Sequence, residues 1–354
     1  MKDKIYYVGM DVHMATTVIV ALNAVGKQIM QAIVETKASS ILDAIRALRG
    51  EVHITFEEGT HSNWLYDVVK PYVAEAVVCN PRNNKLVQSG NKTDEIDAGK
   101  LAELLRLGAL KAVYHGEQAI KPLKELAHSY QNLVSDQTRV KNRIKALFRA
   151  RAISYKGDLL YKVERRSEWI EQLHEEGARS RVERLYEELD CLAGLTARAQ
   201  TAMCEQARKQ PAYKLLDSVP TLGPVRVSLI LAAMVTPHRF RTKRQLWAYA
   251  GFAVINKSTA DYAIVNGRIV KSKKFSATRG LNDNYNRTLK AVFKTAASGV
   301  RSGVFKNYYD KLLEKGMSSQ MARLTLARKI AACALAVWKK GECFETEKFL
   351  KQTS

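Results

Sequence analysis

Two aspartates placed three residues apart, in the middle third of the first half of the chain, are of a type and spacing that could do chemistry. Asp94 and Asp97 lie in the stretch NKTDEIDAGKLAELL at residues 91–105, where Thr93 or Asp94 can act as the N-cap of a helix. A spacing of three places both carboxylates on one face of that helix. Two clustered carboxylates repel each other unless a positive group lies between them, and a divalent cation with oxygen ligands is the usual one. The alternative is an acid-rich first turn that only complements the helix dipole.

Two further acids stand where a β-sheet could hold them. Residues 4–12 (KIYYVGMDV) predict a strand, so Asp11 is a carboxylate inside an apolar strand, where an unpaired charge is costly. Asp11 could instead be a strand-end residue that faces solvent. Glu57 follows the short predicted strand 52–56, and α/β sheets hold their ligands at strand ends. Together with the helical pair, these acids suit two magnesium ions that clamp a scissile phosphate.

The elements that must position these acids alternate between strands and helices. Strands are predicted at 4–12, 16–22, 27–36, 52–56 and 76–79, with helices at 39–48 and shortly after residue 59. Three strands, a helix and then alternating strands and helices are typical of an α/β layer with a mixed sheet.

The chain carries a large excess of positive charge. Its 354 residues include 57 Lys and Arg against 35 Asp and Glu, a net charge of +22. Such an excess implies a polyanionic partner, with nucleic acid the first candidate and an anionic membrane the second. The sequence offers no apolar run long enough to predict a membrane span, no signal peptide and no zinc-ligand spacing among its five cysteines. We therefore expect a cytoplasmic protein with no membrane partner.

The middle of the chain is predicted to be helical. Residues 121–152 indicate a long basic helix, which would either track phosphates or only form a solvated face. Residues 158–208 have apolar residues at helical spacing, typical of a helical hairpin or a coiled-coil spacer for self-association. The turn VPTLGP at 219–224 resembles a helix-hairpin-helix module that grips a DNA phosphate, although a plain corner between two helices fits equally.

Three motifs together resemble a known family. YVGMDVH around Asp11, FEEGT around Glu57 and NKTDEIDAGKLAELL around Asp94 and Asp97 are similar to the DEDD transposases of the insertion-sequence 110 and 1111 group. The resemblance covers nearly the whole chain and implies a RuvC-like RNase H fold that recombines DNA under the guidance of a bridge RNA. It also implies that these four acids bind Mg²⁺, with Mn²⁺ as a possible substitute, and Glu58 is the alternative to Glu57.

The resemblance further implies a serine nucleophile. Residues 251–287 are strongly basic, contain an Asn-Gly hairpin signal at 266–267, and resemble the family's C-terminal transposase domain, whose serine forms a covalent link to DNA. Relatives show a Ser directly before Gly, or a Ser-Ser or Thr-Ser pair before Ala-Asp-Tyr, whereas this chain has KSTADY at 257–262. We assign the nucleophile to Ser258, the only serine in the motif, with Thr259 as the alternative.

The sequence therefore predicts a chain in three parts. These are a RuvC-like catalytic domain with a basic helix (1–152), a helical coiled-coil spacer (153–208), and a mainly helical C-terminal transposase domain with a helix-hairpin-helix-like element (209–354). The family's composite site takes its acids and its serine from different protomers, which implies a dimer or tetramer.

The function that we expect is recombination of donor and target DNA by the transposase of an insertion sequence, with a guide RNA. Two alternatives remain open. One is a hydrolytic, metal-dependent resolvase or nuclease that uses only the four acids. The other is a basic, non-catalytic scaffold that binds nucleic acid.

Overall fold

The chain divides into two compact units, Met1–Gly116 and Glu117–Ser354. The structure is a computed structural model that describes residues 4–80, 93–110, 112–113, 120–257, 262–265, 268–271 and 278–351. The boundary between the units falls before the basic helix, which the sequence had grouped with the first domain. The functional division at residues 152 and 208 stays a prediction.

The first unit is built on a five-stranded mixed sheet, as predicted. Its strands are β1 (Ile5–Val12), β2 (Thr16–Asn23), β3 (Gln28–Glu35), β4 (Glu51–Glu57) and β5 (Glu75–Cys79). They lie in the order β3-β2-β1-β4-β5; β1–β2 and β2–β3 are antiparallel, and β1–β4 and β4–β5 are parallel. The central strand β1 therefore has an antiparallel neighbour on one side and a parallel neighbour on the other.

Helices cover both faces of this sheet. They are α1 (Ala38–Arg46), α2 (Ser62–Val69), which runs into a 3-10 turn at Lys70–Tyr72, and α3 (Asp94–Arg106). Side chains alternate between the two faces of a strand. Accordingly, Ile19 of β2 is buried in one cluster with α1 and α2 residues, whereas Val18 and Val20 pack against Ala98 and Ala102 of α3.

Gly9 allows α3 to lie directly on β1. A Cβ atom added at Gly9 would stand 2.0 Å from the Ala98 carbonyl oxygen and 2.5 Å from the Ala102 backbone nitrogen. Because both are backbone atoms of α3, no side chain fits at Gly9 unless the helix moves. Asp11, two residues further along β1, points by the same alternation toward the α3 face.

The second unit is mostly helical. Its helices are α4 (Lys121–Arg149), α5 (Arg166–Glu171), α6 (Glu176–Arg208), α7 (Tyr213–Asp217), α8 (Pro224–Met234), α9 (Lys243–Tyr249), α10 (Arg287–Ser298), α11 (Val304–Glu314), α12 (Ser319–Lys340) and α13 (Thr346–Lys351). Short 3-10 turns lie at Leu159–Tyr161, Val163–Arg165 and Pro237–Arg239. Its strands are β6 (Val254–Lys257), β7 (Tyr262–Val265), β8 (Arg268–Lys271) and β9 (Thr278–Leu281), paired antiparallel as β6–β9 and β7–β8. The β7–β8 pairing is the one predicted on either side of the Asn-Gly signal, whose residues 266–267 lie outside those described.

The basic helix and the predicted spacer pack against each other within one chain. Residues near the start of α4 share a buried cluster with the end of α6, and residues near the end of α4 share another with the start of α6. The two helices therefore run antiparallel. This pairing buries the apolar positions that had suggested a coiled coil, so self-association through them stays a prediction.

The predicted helix-hairpin-helix element has helices on both sides of its turn. α7 and α8 flank residues 218–223, in which Thr221 has a positive φ of 73° and its carbonyl oxygen accepts a hydrogen bond from Arg226 Nη1 at 3.0 Å. No helix in the described part of the chain is long and apolar enough to cross a bilayer.

Candidate metal centre

The strand register brings the first two predicted acids to one level of the sheet. Met10 of β1 is paired with Phe56 of the parallel strand β4, and Asp11 and Glu57 are the next residues on these strands. Because side chains alternate along a strand, Asp11 points to the same face as Gly9, and Glu57 points to the same face as Thr55, the residue paired with Gly9. Partners in parallel strands point to the same face, so both acids belong to the α3 side. Glu58, the alternative second acid, is exposed and lies one residue past the end of β4.

The N-terminus of α3 supplies the other two acids, and Thr93 is its N-cap. The Thr93 hydroxyl accepts a hydrogen bond from the Ile96 N–H at 3.3 Å, and its carbonyl oxygen accepts one from the Asp97 N–H at 3.0 Å. Capping of this kind fixes where the helix begins. Asp94 is consequently the first residue of α3, and Asp97 lies in the same first turn.

Asp11 and Asp94 meet around a histidine that the sequence analysis did not select. His13 Nε2 lies 3.3 Å from Asp11 Oδ2 and 3.3 Å from Asp94 Oδ2. One ligand atom from each of these three residues lies within 4.8 Å of the other two, a spacing that could hold a metal ion. The motif YVGMDVH contained His13, but its position between β1 and β2 gave no sign that α3 would bring Asp94 to it.

The surroundings of Asp11 disfavour its charged form. Burial raises the pKa of Asp11, His13 lowers it, and the carboxylates of Asp94 and Asp97 raise it again, with a net upward shift. Asp97 is therefore close enough to Asp11 to repel it, although it lies outside the three-residue group. A cation among these carboxylates would remove the repulsion.

Asp97 presents an oxygen atom that lacks a hydrogen-bond donor. Its Oδ1 atom is enclosed and accepts no hydrogen bond from the described residues, while Lys100 Nζ lies 3.8 Å away. A buried carboxylate oxygen without a donor is costly unless a cation compensates for it. Converging carboxylates with an unsatisfied oxygen are the donor set that hard divalent cations prefer, so the residues present fit a divalent metal.

The predicted nucleophile falls in a segment outside the described residues. Ser258 and Thr259 lie outside the described residues, between the end of β6 at Lys257 and the start of β7 at Tyr262. The assignment of Ser258 as the nucleophile rests on the resemblance of residues 251–287 to the C-terminal transposase domain of the family.

Two family models match separate parts of the chain. A model for the DEDD transposases of the IS110 family matches residues 8–151, which include all four predicted acids and His13. A second, described as Transposase IS116/IS110/IS902 family, matches residues 213–310 and includes Ser258 and Thr259. This chain belongs to the IS110-type transposases. A search of curated proteins finds no match.

Membership sets the broad class of activity for this transposase. It is a DNA-processing enzyme whose partner is DNA, and its DEDD family suggests use of a divalent metal. Asp11, His13 and Asp94 form a group whose spacing could hold such a metal.

Proposed function

We propose that this transposase cuts and rejoins DNA strands at a Mg²⁺ centre formed by Asp11, Glu57, Asp94 and Asp97, with Ser258 as the nucleophile. The observation that carries the metal centre is the convergence of Asp11 and Asp94, from a strand and a helix distant in sequence, within a group whose atoms lie no more than 4.8 Å apart. Glu57 is included because it shares the sheet face of Asp11, and Asp97 because its Oδ1 atom accepts no hydrogen bond from the described residues.

Each acid has a defined role in this centre. Asp11, held on the central strand, and Asp94, held by the capped first turn of α3, would bridge the two elements through the cation. Asp97 would contribute its Oδ1 atom, which accepts no hydrogen bond from the part of the chain that the structure describes, and Glu57 would approach from the adjacent strand. A bound divalent cation would supply Lewis-acid polarisation of the scissile phosphate. His13, half-exposed beside Asp11, would orient that carboxylate or provide a further ligand.

The bond changes in the proposed reaction balance without an external energy source. The Ser258 hydroxyl oxygen forms a bond to phosphorus, the bond from phosphorus to one DNA oxygen breaks, and the hydroxyl proton passes to the departing oxygen. Because one phosphodiester replaces another, the energy for rejoining is retained and no ATP is required. A bridge RNA would select the sequence, and the basic chain would bind backbone and shape.

The composite site that the family resemblance implies would require more than one protomer. We propose that the acids of one protomer act with Ser258 of another in a dimer or tetramer. The two-unit organisation of the chain is compatible with such an exchange.

A denaturing gel tests the proposed nucleophile. The full chain is incubated with the junction DNA of its element, element-derived RNA and Mg²⁺, and wild type is compared with Ser258→Ala and Thr259→Ala. We expect a DNA-linked protein band that only Ser258→Ala abolishes. If only Thr259→Ala abolishes the band, the covalent mechanism is supported, but the nucleophile is Thr259 and not Ser258.

A hydrolytic nuclease is the second candidate function. It is favoured by the fact that Asp11, His13 and Asp94, the metal-ligand group found among the described residues, all belong to the first unit. Cleaved DNA with free 3′-OH ends and no protein-linked band in any variant would establish it.

A further inference from the structure

The second unit contains a basic cavity that the proposed chemistry does not use. Its volume is about 690 Å³, and its walls come from α9, α11, α12, α13 and the segment that connects α12 to α13. This volume lies within the range typical of sites that enclose a small ligand. We propose that the cavity binds one or two unpaired nucleotides of a nucleic-acid strand.

The charge of the cavity is positive and largely uncompensated. Its two acids, Glu342 and Glu345, both pair with Lys348, at 3.2 Å and 2.9 Å. Six other cations line the walls without an ion pair to any acid of the described residues: Arg241, Lys243, Arg328, Lys329, Lys339 and Lys340. Arg328 and Lys339 donate hydrogen bonds to the carbonyl oxygens of Phe252 and Phe240. A concave surface with excess cations attracts phosphate groups.

Lys329 is a cation of the cavity wall whose charged form is disfavoured by its surroundings. It is half-buried, and burial together with the nearby Lys243 lowers its pKa. An anion in the cavity would oppose both effects, because its attraction would offset the lost hydration of Lys329 and the repulsion from Lys243.

Aromatic side chains supply the second part of the recognition. Trp247 lines the cavity and is half-buried, and its indole N–H donates a hydrogen bond to the Arg328 carbonyl oxygen at 2.9 Å. Lys243 Nζ lies 5.7 Å from the centre of the indole ring. Phe344 also lines the wall, packed against Phe305.

This combination favours an unpaired base over a duplex. Aromatic rings beside cations are the pattern by which proteins stack single-stranded bases and hold the adjoining phosphate. In a duplex the bases are stacked on each other, so only the backbone could reach such a concave wall. The site uses none of the acids of the metal centre, so it can exist whether or not the proposed chemistry is correct.

Cysteine alkylation tests the site in the full-length protein. Cys343 lines the cavity and is exposed, whereas Cys191 is exposed on α6 and does not line it. Cys333 also lines the cavity, but burial raises its pKa to about 11, so at pH 7.5 its thiolate is scarce and it reacts slowly. The rates at which N-ethylmaleimide modifies Cys343 and Cys191 are measured by mass spectrometry in EDTA, which prevents any metal-dependent cleavage.

The probes are twelve-nucleotide oligothymidylate DNA, oligouridylate RNA of the same length, and a blunt DNA duplex. With a single strand present at ten times its dissociation constant, we expect Cys343 to react about tenfold more slowly, in proportion to occupancy, and Cys191 to be unchanged. The stronger of the DNA and RNA effects identifies which strand supplies the nucleotides. Equal protection of both cysteines, no protection of Cys343, or equal protection by the duplex would each overturn the proposal.

A pair of double variants separates the cavity from general electrostatics. Lys243→Gln with Lys329→Gln should abolish the protection of Cys343, whereas Lys311→Gln with Lys315→Gln, which removes the same charge from exposed positions outside the lining, should retain it. If Cys343 is still protected in the Lys243→Gln and Lys329→Gln variant, or is unprotected in both double variants, the cavity is not the nucleotide-binding site. If the Lys243→Gln and Lys329→Gln variant does not fold, the protection of Cys343 and Cys191 by the three probes in the wild-type protein still tests whether the cavity binds a single strand.

Discussion

Gly9→Ala should damage the metal centre without touching any of its ligands. The added Cβ would lie 2.0 Å from the Ala98 carbonyl oxygen, whereas an ordinary contact is about 3.5 Å, so α3 would have to retreat by about 1.5 Å. Asp94 and Asp97 begin that helix and would move with it, away from Asp11 on the strand.

The expected cost in stability is moderate. Overpacking of this kind costs about 1–3 kcal/mol, and replacing a strand glycine returns about 0.5–1 kcal/mol. The net loss of up to about 2.5 kcal/mol corresponds to a melting temperature lower by up to about 10 °C for a unit of this size. The effect on chemistry should be larger, because a displacement of about 1 Å can reduce a rate about 100-fold.

Two assays on Gly9→Ala and one matched control measure these effects. Thermal unfolding gives the stability, and the electron paramagnetic resonance signal of free Mn²⁺ gives the metal affinity without any need for a substrate. Gly99→Ala is the control, because a Cβ there would meet only Val20 Cγ1, at 3.9 Å, and alanine favours the helix by up to about 1 kcal/mol. Our reasoning fails if Gly9→Ala binds Mn²⁺ as the wild type does, or if Gly99→Ala loses affinity equally.

Three further variants test the electrostatics of each unit. Asp11→Asn should raise the melting temperature of the metal-free protein at pH 7.5. Because the folded pKa of Asp11 is raised, its ionisation costs stability above pH 3.8, so the gain should vanish as the pH falls to that value. Saturating Mg²⁺ should stabilise only the wild type, by about 2.7 kcal/mol at 100 times its dissociation constant. His13→Ala should weaken Mn²⁺ binding about tenfold in the same titration, and an unchanged affinity would remove His13 from the centre. Asp190→Asn should lower the free energy of unfolding by about 1 kcal/mol at pH 7, measured in urea, because Arg166 donates two hydrogen bonds to Asp190 at 2.6 and 2.7 Å. The Arg166 hydrogen bonds lower the pKa of Asp190, so this difference should be lost as the pH falls below 3.8.

The sequence predicted the parts of the centre that local physics determines. β-branched runs specified the mixed sheet, and a capping residue followed by an apolar helical period specified α3 with Asp94 and Asp97 in its first turn. Each of these signals lies within a few residues of the acid that it positions. Asp11 was identifiable because a carboxylate inside an apolar strand is unusual.

His13 escaped prediction because its role arises from tertiary packing. It follows β1 and meets Asp94 only because Gly9 lets α3 approach the strand backbone. The sequence signal that could have identified His13 is the motif GMDVH, in which a glycine lies two residues before an acid and a histidine two residues after it. This spacing by itself is not specific for a metal site. The packing of α4 against α6 was not predicted for a similar reason. Apolar residues at helical spacing can pack against a helix of the same chain or of another chain, and the spacing alone does not distinguish the two.

Cleavage by single amide variants of the four acids tests the central claim most directly. Asp11→Asn, Glu57→Gln, Asp94→Asn and Asp97→Asn are compared with wild type on junction DNA with element-derived RNA and Mg²⁺, and Glu58→Gln serves as the matched control. We predict that each of the four loses at least about 1000-fold in cleavage rate while DNA binding is retained, and that Glu58→Gln cleaves normally. An acid variant that still cleaves at the wild-type rate would contradict the proposed centre, and loss of cleavage in Glu58→Gln with retention in Glu57→Gln would reassign its second acid.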